Sequence, residues 1–188
     1  EYDLPAVRSV SAGEADPHEL SAYKGLERLY ARNENYEGLI SSLRAQVDLV
    51  ATPKQRIALL DRIGLMLEEE FVDHAQAAEC FEKITAIDAG HECASAALSR
   101  LYRNLQRFED LVKNLSRHAA TVTDASRKIE LMLHAARTLA IDIGSPERAI
   151  DMYEAVLGID DNQGEALSEL ARLKSTAGDV GSAVSAVE

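Results

Sequence analysis

From residue 18 onward, apolar side chains recur at alternating three- and four-residue intervals, the spacing that lines one face of an α-helix. The pattern divides into segments 18–32, 36–50, 53–70, 73–87, 91–105, 108–121, 124–142, 146–158, 163–177 and 179–188. It therefore predicts about ten helices and no strands. Only a few residues separate successive segments, so neighbouring helices must run antiparallel as hairpins. Start signals agree with these bounds. Asp16-Pro17-His18-Glu19 and Thr52-Pro53-Lys54-Gln55 each place a capping residue, a proline at the first helical position and an acid or amide on the third. Ser145-Pro146-Glu147 repeats the cap and proline, and Asp73 with Gln76 and Asn162 with Glu165 supply two more caps. The first 17 residues, with Pro5, Gly13 and Pro17, break the pattern and read as a linker or the frayed end of a preceding hairpin. The expected organisation is one helical domain over 18–188, with hairpins 18–50, 53–87, 91–121, 124–158 and 163–188.

The hairpins repeat. A shift of 72 residues lays Ala22–Cys93 on Ala94–Glu165 without a gap. Leu26-Glu27-Arg28-Leu29-Tyr30 falls on Leu98-Ser99-Arg100-Leu101-Tyr102, Leu43 on Leu115, and Ala77 and Phe81 on Ala149 and Tyr153. A third, truncated copy continues with Leu170, Arg172 and Leu173. The matches fall at apolar positions of helical spacing, so each hairpin is expected to bury its apolar faces on its neighbours, as in a solenoid.

These residues resemble the tetratricopeptide repeat family. The run Gly144-Ser145-Pro146-Glu147-Arg148-Ala149-Ile150, followed by Tyr153, Val156, Ile159 and Asp160, is similar to the second helix of such a repeat. Ala149 stands for its small residue and Tyr153 for its aromatic; Ala77 and Phe81 match in the same way. Leu39 and Leu111 replace the small residue in the first and third hairpins, and the closing proline is absent, with Ala89 and Asp161 in its place. The resemblance is to a divergent, bacterial-type array of alternating short and long hairpins. It implies an all-α solenoid with a right-handed superhelical course and a protein-binding role. The carboxylate clamp by which some members grip acidic peptide termini is not matched. Lys24 suits it, but Arg28 and Arg62 stand where asparagines belong, and Cys93 and Ala97 where basic residues belong.

Composition sharpens this picture. The chain has 188 residues, 46% hydrophobic and 28% charged, with 5% aromatics and no Trp, a balance suited to a folded helical chain and not to a β-sandwich. Its net charge of −12 repels the phosphate backbone, so nucleic acid is not an expected partner. No apolar run approaches the ~18 residues of a membrane span. Cys80 and Cys93 lack CxxC spacing and read as small hydrophobes, which favours a cytoplasmic setting. The start at Glu1, and the apolar side Val180, Ala183, Val184 and Val187 near the end, point to a piece of a longer chain or to an end that docks on something.

No catalytic or metal-binding pattern stands out in the sequence. His18, His74, His91, His118 and His134 include no i,i+4 pair and no HExxH. Cys80, His91 and Cys93 lack a fourth ligand. His18 and His91 lie near helix starts, and His118 sits on an apolar face as a satisfied interior histidine. Glu68-Glu69-Glu70 reads as a solvated helix face. There is no phosphate-binding glycine loop and no nucleophile elbow. The expectation is no enzyme, no cofactor and no metal.

One pattern remains. Two places after an inward apolar residue of the first helix in a hairpin stand Arg28, Arg100, Arg137 and Arg172; the second hairpin has Leu65 there. Lys24, Arg62, Arg103 and His134 fall on the same side by helical spacing. This cationic stripe either receives a peptide or protein segment, an acidic one by charge, or bridges to acids on adjacent hairpins. The leading expectation is a noncatalytic interaction scaffold with a peptide in its groove. The alternatives are a structural array that self-associates through its ends and a regulatory module of a larger protein.

Overall fold

The computed structural model describes residues 17–185, and the side chains of 18–176. Among these residues there are nine α-helices and no strand: α1 (Pro17–Arg32), α2 (Tyr36–Leu49), α3 (Pro53–Glu69), α4 (His74–Ile87), α5 (Glu92–Asn104), α6 (Phe108–Thr121), α7 (Ala125–Arg137), α8 (Pro146–Leu157) and α9 (Gly164–Ser185). Each packs against the next in sequence, giving a solenoid of antiparallel hairpins. The observed bounds lie within a residue or two of the periodic segments, with two differences.

First, α9 runs unbroken where a turn at Gly178-Asp179 was expected, so nine helices replace ten. A glycine inside a helix costs only about 1 kcal/mol relative to alanine. A turn would forfeit backbone hydrogen bonds. Second, α7 does not continue as α-helix to residue 142 but passes into a π-helical turn, Thr138–Ile143. The Thr138 hydroxyl donates to the His134 carbonyl at 3.0 Å, which also accepts from the Thr138 amide. The expected linker over residues 1–17 and the apolar side from Val180 to Val187 lie outside the residues whose side chains are described.

Caps follow short-range chemistry. Thr52 accepts from the Gln55 amide at 3.3 Å, and Asp73 accepts from the Gln76 amide at 3.0 Å, as expected. Ser145 makes no capping bond, and Asn162 is not the cap of α9; Gln163 takes that role, accepting from the Glu165 amide at 3.0 Å. In the preceding turn the Asn162 backbone amide donates to the Asp160 carboxylate at 3.1 Å and its side-chain amide to Asp161 at 2.6 Å, so the Asn162 side chain is engaged outside the helix start. His91 is itself a cap: its Nδ1 accepts from the Ala94 amide at 3.2 Å.

The 72-residue period extends to the backbone of the turns. Glu34 and Gln106 end the α1–α2 and α5–α6 turns with φ of 54° and 56°; Val72 and Gly144 do so for the longer α3–α4 and α7–α8 turns, with φ of 52° and 70°. Four turns thus use the left-handed conformation at register-equivalent positions, and only one has the residue that adopts it without steric cost.

The even-numbered helices are sandwiched and supply much of the core. Ala77, Phe81 and Ile84 of α4, Leu111 and Leu115 of α6, and Ala149, Tyr153 and Val156 of α8 are essentially fully buried. Gly64 of α3 faces the Phe81 ring so closely that a Cβ there would lie 2.9 Å from it. Leu39 and Leu111, which replace the small residue of the repeat, are both buried, so the first and third hairpins fill with leucine what the others fill with an aromatic packed on alanine or glycine. A polar network ties α4 to the α5–α6 turn: the Tyr102 hydroxyl donates to Glu82 at 2.9 Å, and Arg107 donates to the same oxygen at 3.1 Å. Arg107 also lies 4.8 Å over the Tyr102 ring and donates to Asp110 at 2.8 Å. Burial, reinforced by the Glu82 carboxylate, pushes the Tyr102 hydroxyl well above its ordinary pKa.

Candidate functional site

Helical spacing places Arg28, Leu65, Arg100, Arg137 and Arg172 at corresponding exposed positions of α1, α3, α5, α7 and α9. Their partners differ. Arg62 of α3 donates to Glu27 of α1, a carboxylate that also accepts from Gln46 at 2.9 Å. Arg100 donates to Glu68 at 2.7 Å, joining α5 to α3. Arg137 grips Glu165 of α9 with two nitrogens. Arg172 pairs within its own helix with Glu169 at 2.8 Å. Three of these pairs are rungs between successive odd-numbered helices, the bridging arrangement weighed from the sequence. Lys24 and Arg28 form no ion pair with a described residue. Arg103 meets no carboxylate either; its guanidinium contacts Nε2 of His134 on α7.

Arg103 and His134 open onto a cavity of about 840 Å³ between α5, α6 and α7. Its charged lining is Arg103, Arg127, Arg137, Glu130 and Asp142, with Arg127 and Glu130 paired at 2.6 Å; its apolar lining includes Leu115, Leu131 and Leu133. Ile141, on the π-helical turn, stands at its edge with three quarters of its surface exposed. The wall shared by α5 and α6 is polar: Asn114 donates to the Ser95 carbonyl at 2.8 Å and to the Ser99 hydroxyl at 3.1 Å. Ser95 also lines the cavity, and its hydroxyl is buried without a hydrogen-bond partner among the described residues. His118 lines it too. It is interior, as expected.

Both cavity histidines are held below their ordinary pKa. Burial is the main cause for each, reinforced at His118 by Arg127 and at His134 by Arg103 and Arg137. Neutral His134 can therefore accept a hydrogen bond from Arg103 through Nε2. The consequence for stability has a definite sign. Each ring is neutral when folded, and the unfolded chain binds the protons as pH falls below about 6.5. Stability is therefore complete above that pH and is lost as pH drops from 7 toward 5. The carboxylates Glu109 and Glu165, lowered by hydrogen bonds from Arg148 and Arg137, lose their contribution only in a more acidic window, below about 4.5. Thermal melts should show a falling midpoint between pH 7 and 5.5, with a smaller fall in His118→Gln; a flat profile there would contradict the neutral assignment.

Sequence reasoning missed Ser95, Arg127 and Ile141. Arg127 lies on the expected helix 124–142, but a cavity between three helices depends on how they cross, which the face of a single helix does not reveal. The other residues weighed for chemistry are dispersed: Cys80 is buried and Cys93 exposed, both as free thiols. No group of three or more His, Cys, Asp or Glu side chains among the described residues is placed to hold a metal ion. No described helix is long and apolar enough to cross a membrane.

No family model matches the chain, and no curated protein matches it. Solved structures do. A MamA protein is 15% identical over 90% of this chain and 88% of its own, with a TM-score of 0.48. A putative kinesin light chain from Podospora anserina with nearly identical TPR-like repeats is 19% identical over 90% of this chain and 92% of its own, also at 0.48. The second TPR domain of human RPAP3, solved with an HSP70 peptide, is 20% identical over 65% of this chain and 98% of its own, at 0.43. The fold is tetratricopeptide-like. That statement rests on the paired antiparallel helices and their 72-residue register described above.

Proposed function

We propose that this chain is a noncatalytic scaffold that holds a peptide or protein segment, acidic in character, along the face formed by its odd-numbered helices. Residues 18–188 act in this reading as one repeat domain. Its contacts are Lys24, Arg28, Arg62, Arg100, Arg103, His134, Arg137 and Arg172. The observation that carries the reading is a row of cations on one face of a chain whose net charge is −12, with Lys24 and Arg103 in no ion pair with a described residue. Arginine suits such a face because its planar fork pairs with carboxylates and stays charged at any working pH. An exposed pair contributes only about 0–1 kcal/mol, so binding needs several contacts and apolar anchoring, which exposed Leu65 and Ile141 supply.

Selection of a displayed random dodecapeptide library on the immobilised chain tests this. Acid-rich peptides with interspersed leucine should be enriched, should elute as salt rises past the ~10 Å screening length at 0.1 M, and should bind the Arg100→Glu, Arg137→Glu double variant at least tenfold more weakly. No enrichment, or equal binding to the doubly reversed chain with its helical circular dichroism intact, would reject the reading.

A second reading, self-association through the ends, draws on α9. Leu167 is 47% exposed, whereas Ser95, its counterpart one repeat earlier, is 2% exposed beneath α6. Light scattering over a concentration series separates the two readings, since end stacking must grow with concentration.

A further inference from the structure

We propose that the cavity between α5, α6 and α7 is the anchoring subsite for a carboxylate side chain of an acidic peptide, which Arg103 and His134 take together with one proton from solvent. The proposal rests on the scaffold reading above and names its central contact.

The arrangement around Arg103 sets it apart from the other arginines. Arg62, Arg100, Arg137 and Arg172 already hold carboxylates. Arg103 holds a neutral imidazole, a weaker acceptor than an anion. A carboxylate entering the cavity therefore displaces no existing ion pair at Arg103, as it would at the other four. Released from Arg103, the His134 ring can bind a proton at Nε2 and donate to the same carboxylate. The groups facing His134 decide whether this happens. Arg103 from α5 and Arg137 from α7 oppose protonation, while Glu130 from α7 and Asp142 from the π-helical turn favour it. From α6 the titratable group at the cavity is His118, held neutral; Arg127 of α7 is paired with Glu130 and Glu92, and Glu165 of α9 is bound to Arg137. Burial and the two arginines hold the ring neutral in the free chain, and a carboxylate at hydrogen-bond distance adds a negative charge that favours its protonated form.

The remaining lining fits a peptide better than a free acid. Ser95 and Ser99 add polar residues to the lining. Leu131 and Leu133 below, and exposed Ile141 at the rim, offer apolar contact to a residue next to the acid. At about 840 Å³ the cavity has room for an acidic side chain and one apolar neighbour, and its volume is within the usual range of ligand sites.

The test is nuclear magnetic resonance of the full chain with ¹⁵N-labelled histidine, titrated with the blocked pentapeptide acetyl-Glu-Leu-Asp-Glu-Leu-amide. Its Gln/Asn counterpart, glutarate and sodium chloride of equal ionic strength serve as the other arms. The pentapeptide should raise the titration midpoint of His134 by about one pH unit or more, a tenfold preference for the protonated ring. It should bind more tightly at pH 6 than at pH 8, and act at least tenfold below the glutarate concentration needed for the same effect. The effect should vanish in Arg103→Gln, be partly restored in Arg103→Lys and persist in Lys113→Gln, whose side chain pairs with Asp110 away from the cavity. A glutarate response equal to the peptide's would overturn the peptide assignment. No response beyond that of sodium chloride, or an undiminished response in Arg103→Gln with an unchanged amide spectrum, would overturn the subsite. Should the displayed-peptide selection succeed while Arg103→Gln binds its products normally, the subsite fails and the scaffold reading stands; failure of both removes the scaffold reading as well.

Discussion

Phe81→Ala is expected to lower the unfolding free energy by about 3–5 kcal/mol, the usual cost of truncating a buried aromatic. Phe81 is 1% exposed, and its ring sits against Gly64 at the junction of α3 and α4. That junction lies in the interior of the array, with α1 and α2 on one side and α5 onward on the other. A domain of ordinary stability has about 5–15 kcal/mol in all, so the loss is a large share. Because each hairpin is held only by its neighbours, the damage should also be local. Amide exchange should accelerate throughout α3 and α4 and their contacts on α2 and α5, while α7 and α8 keep most of their protection. Urea denaturation followed by circular dichroism should then broaden or split into two steps. A single sharp transition shifted by less than about 1 kcal/mol would mean that the ring is not the keystone of that junction.

Exchanging the two residues of the long turns should move stability in opposite directions. Val72 has a φ of 52°, where a β-branched side chain clashes with its own backbone. It is 66% exposed and so returns little burial for the strain. Val72→Gly should therefore stabilise by about 1 kcal/mol, the relief of left-handed strain less the added entropy of the unfolded chain. At the equivalent position one repeat later, Gly144→Val should destabilise by about 1–2 kcal/mol, since a Cβ there meets no atom within 4 Å and only the backbone conformation objects. Chemical denaturation of the two variants checks both signs. If both changes destabilise, the side chain of Val72 contributes contacts that outweigh its strain.

The helices were legible because burial imposes periodicity. Phe81 and Tyr153, or Leu43 and Leu115, sit where neighbouring hairpins demand apolar side chains, and such demands survive when other positions drift. The register of the turns was legible for the same reason: a turn displaced by one residue would rotate the next helix out of its groove. Features fixed by competition between nearby groups were not. The π-helical turn over Thr138–Ile143 has no signal in the sequence, where Thr138 looks like any other helical threonine. Asn162 and Gln163 both suit a cap in sequence, and the local turn decides between them. The glycine at 178 carries a turn signal that the helical backbone overrides. At the candidate site the cationic row was visible in sequence. Which arginine holds a carboxylate and which holds a histidine was not, since that depends on pairs 28 to 35 residues apart meeting across neighbouring helices.

The claim that this array works by holding a polypeptide along the face of its odd-numbered helices is tested most directly by site-specific photocrosslinking. A benzophenone side chain placed at Ser99, at the edge of the cavity, should form a covalent adduct with an acid-rich peptide from the selection, and peptide mapping should place the attachment next to an acidic residue. The same group at Asp151, on the exposed side of α8, should form none, and excess unlabelled peptide should suppress the Ser99 adduct. Equal crosslinking from both positions, or a Ser99 adduct that competitor does not suppress, would contradict the account.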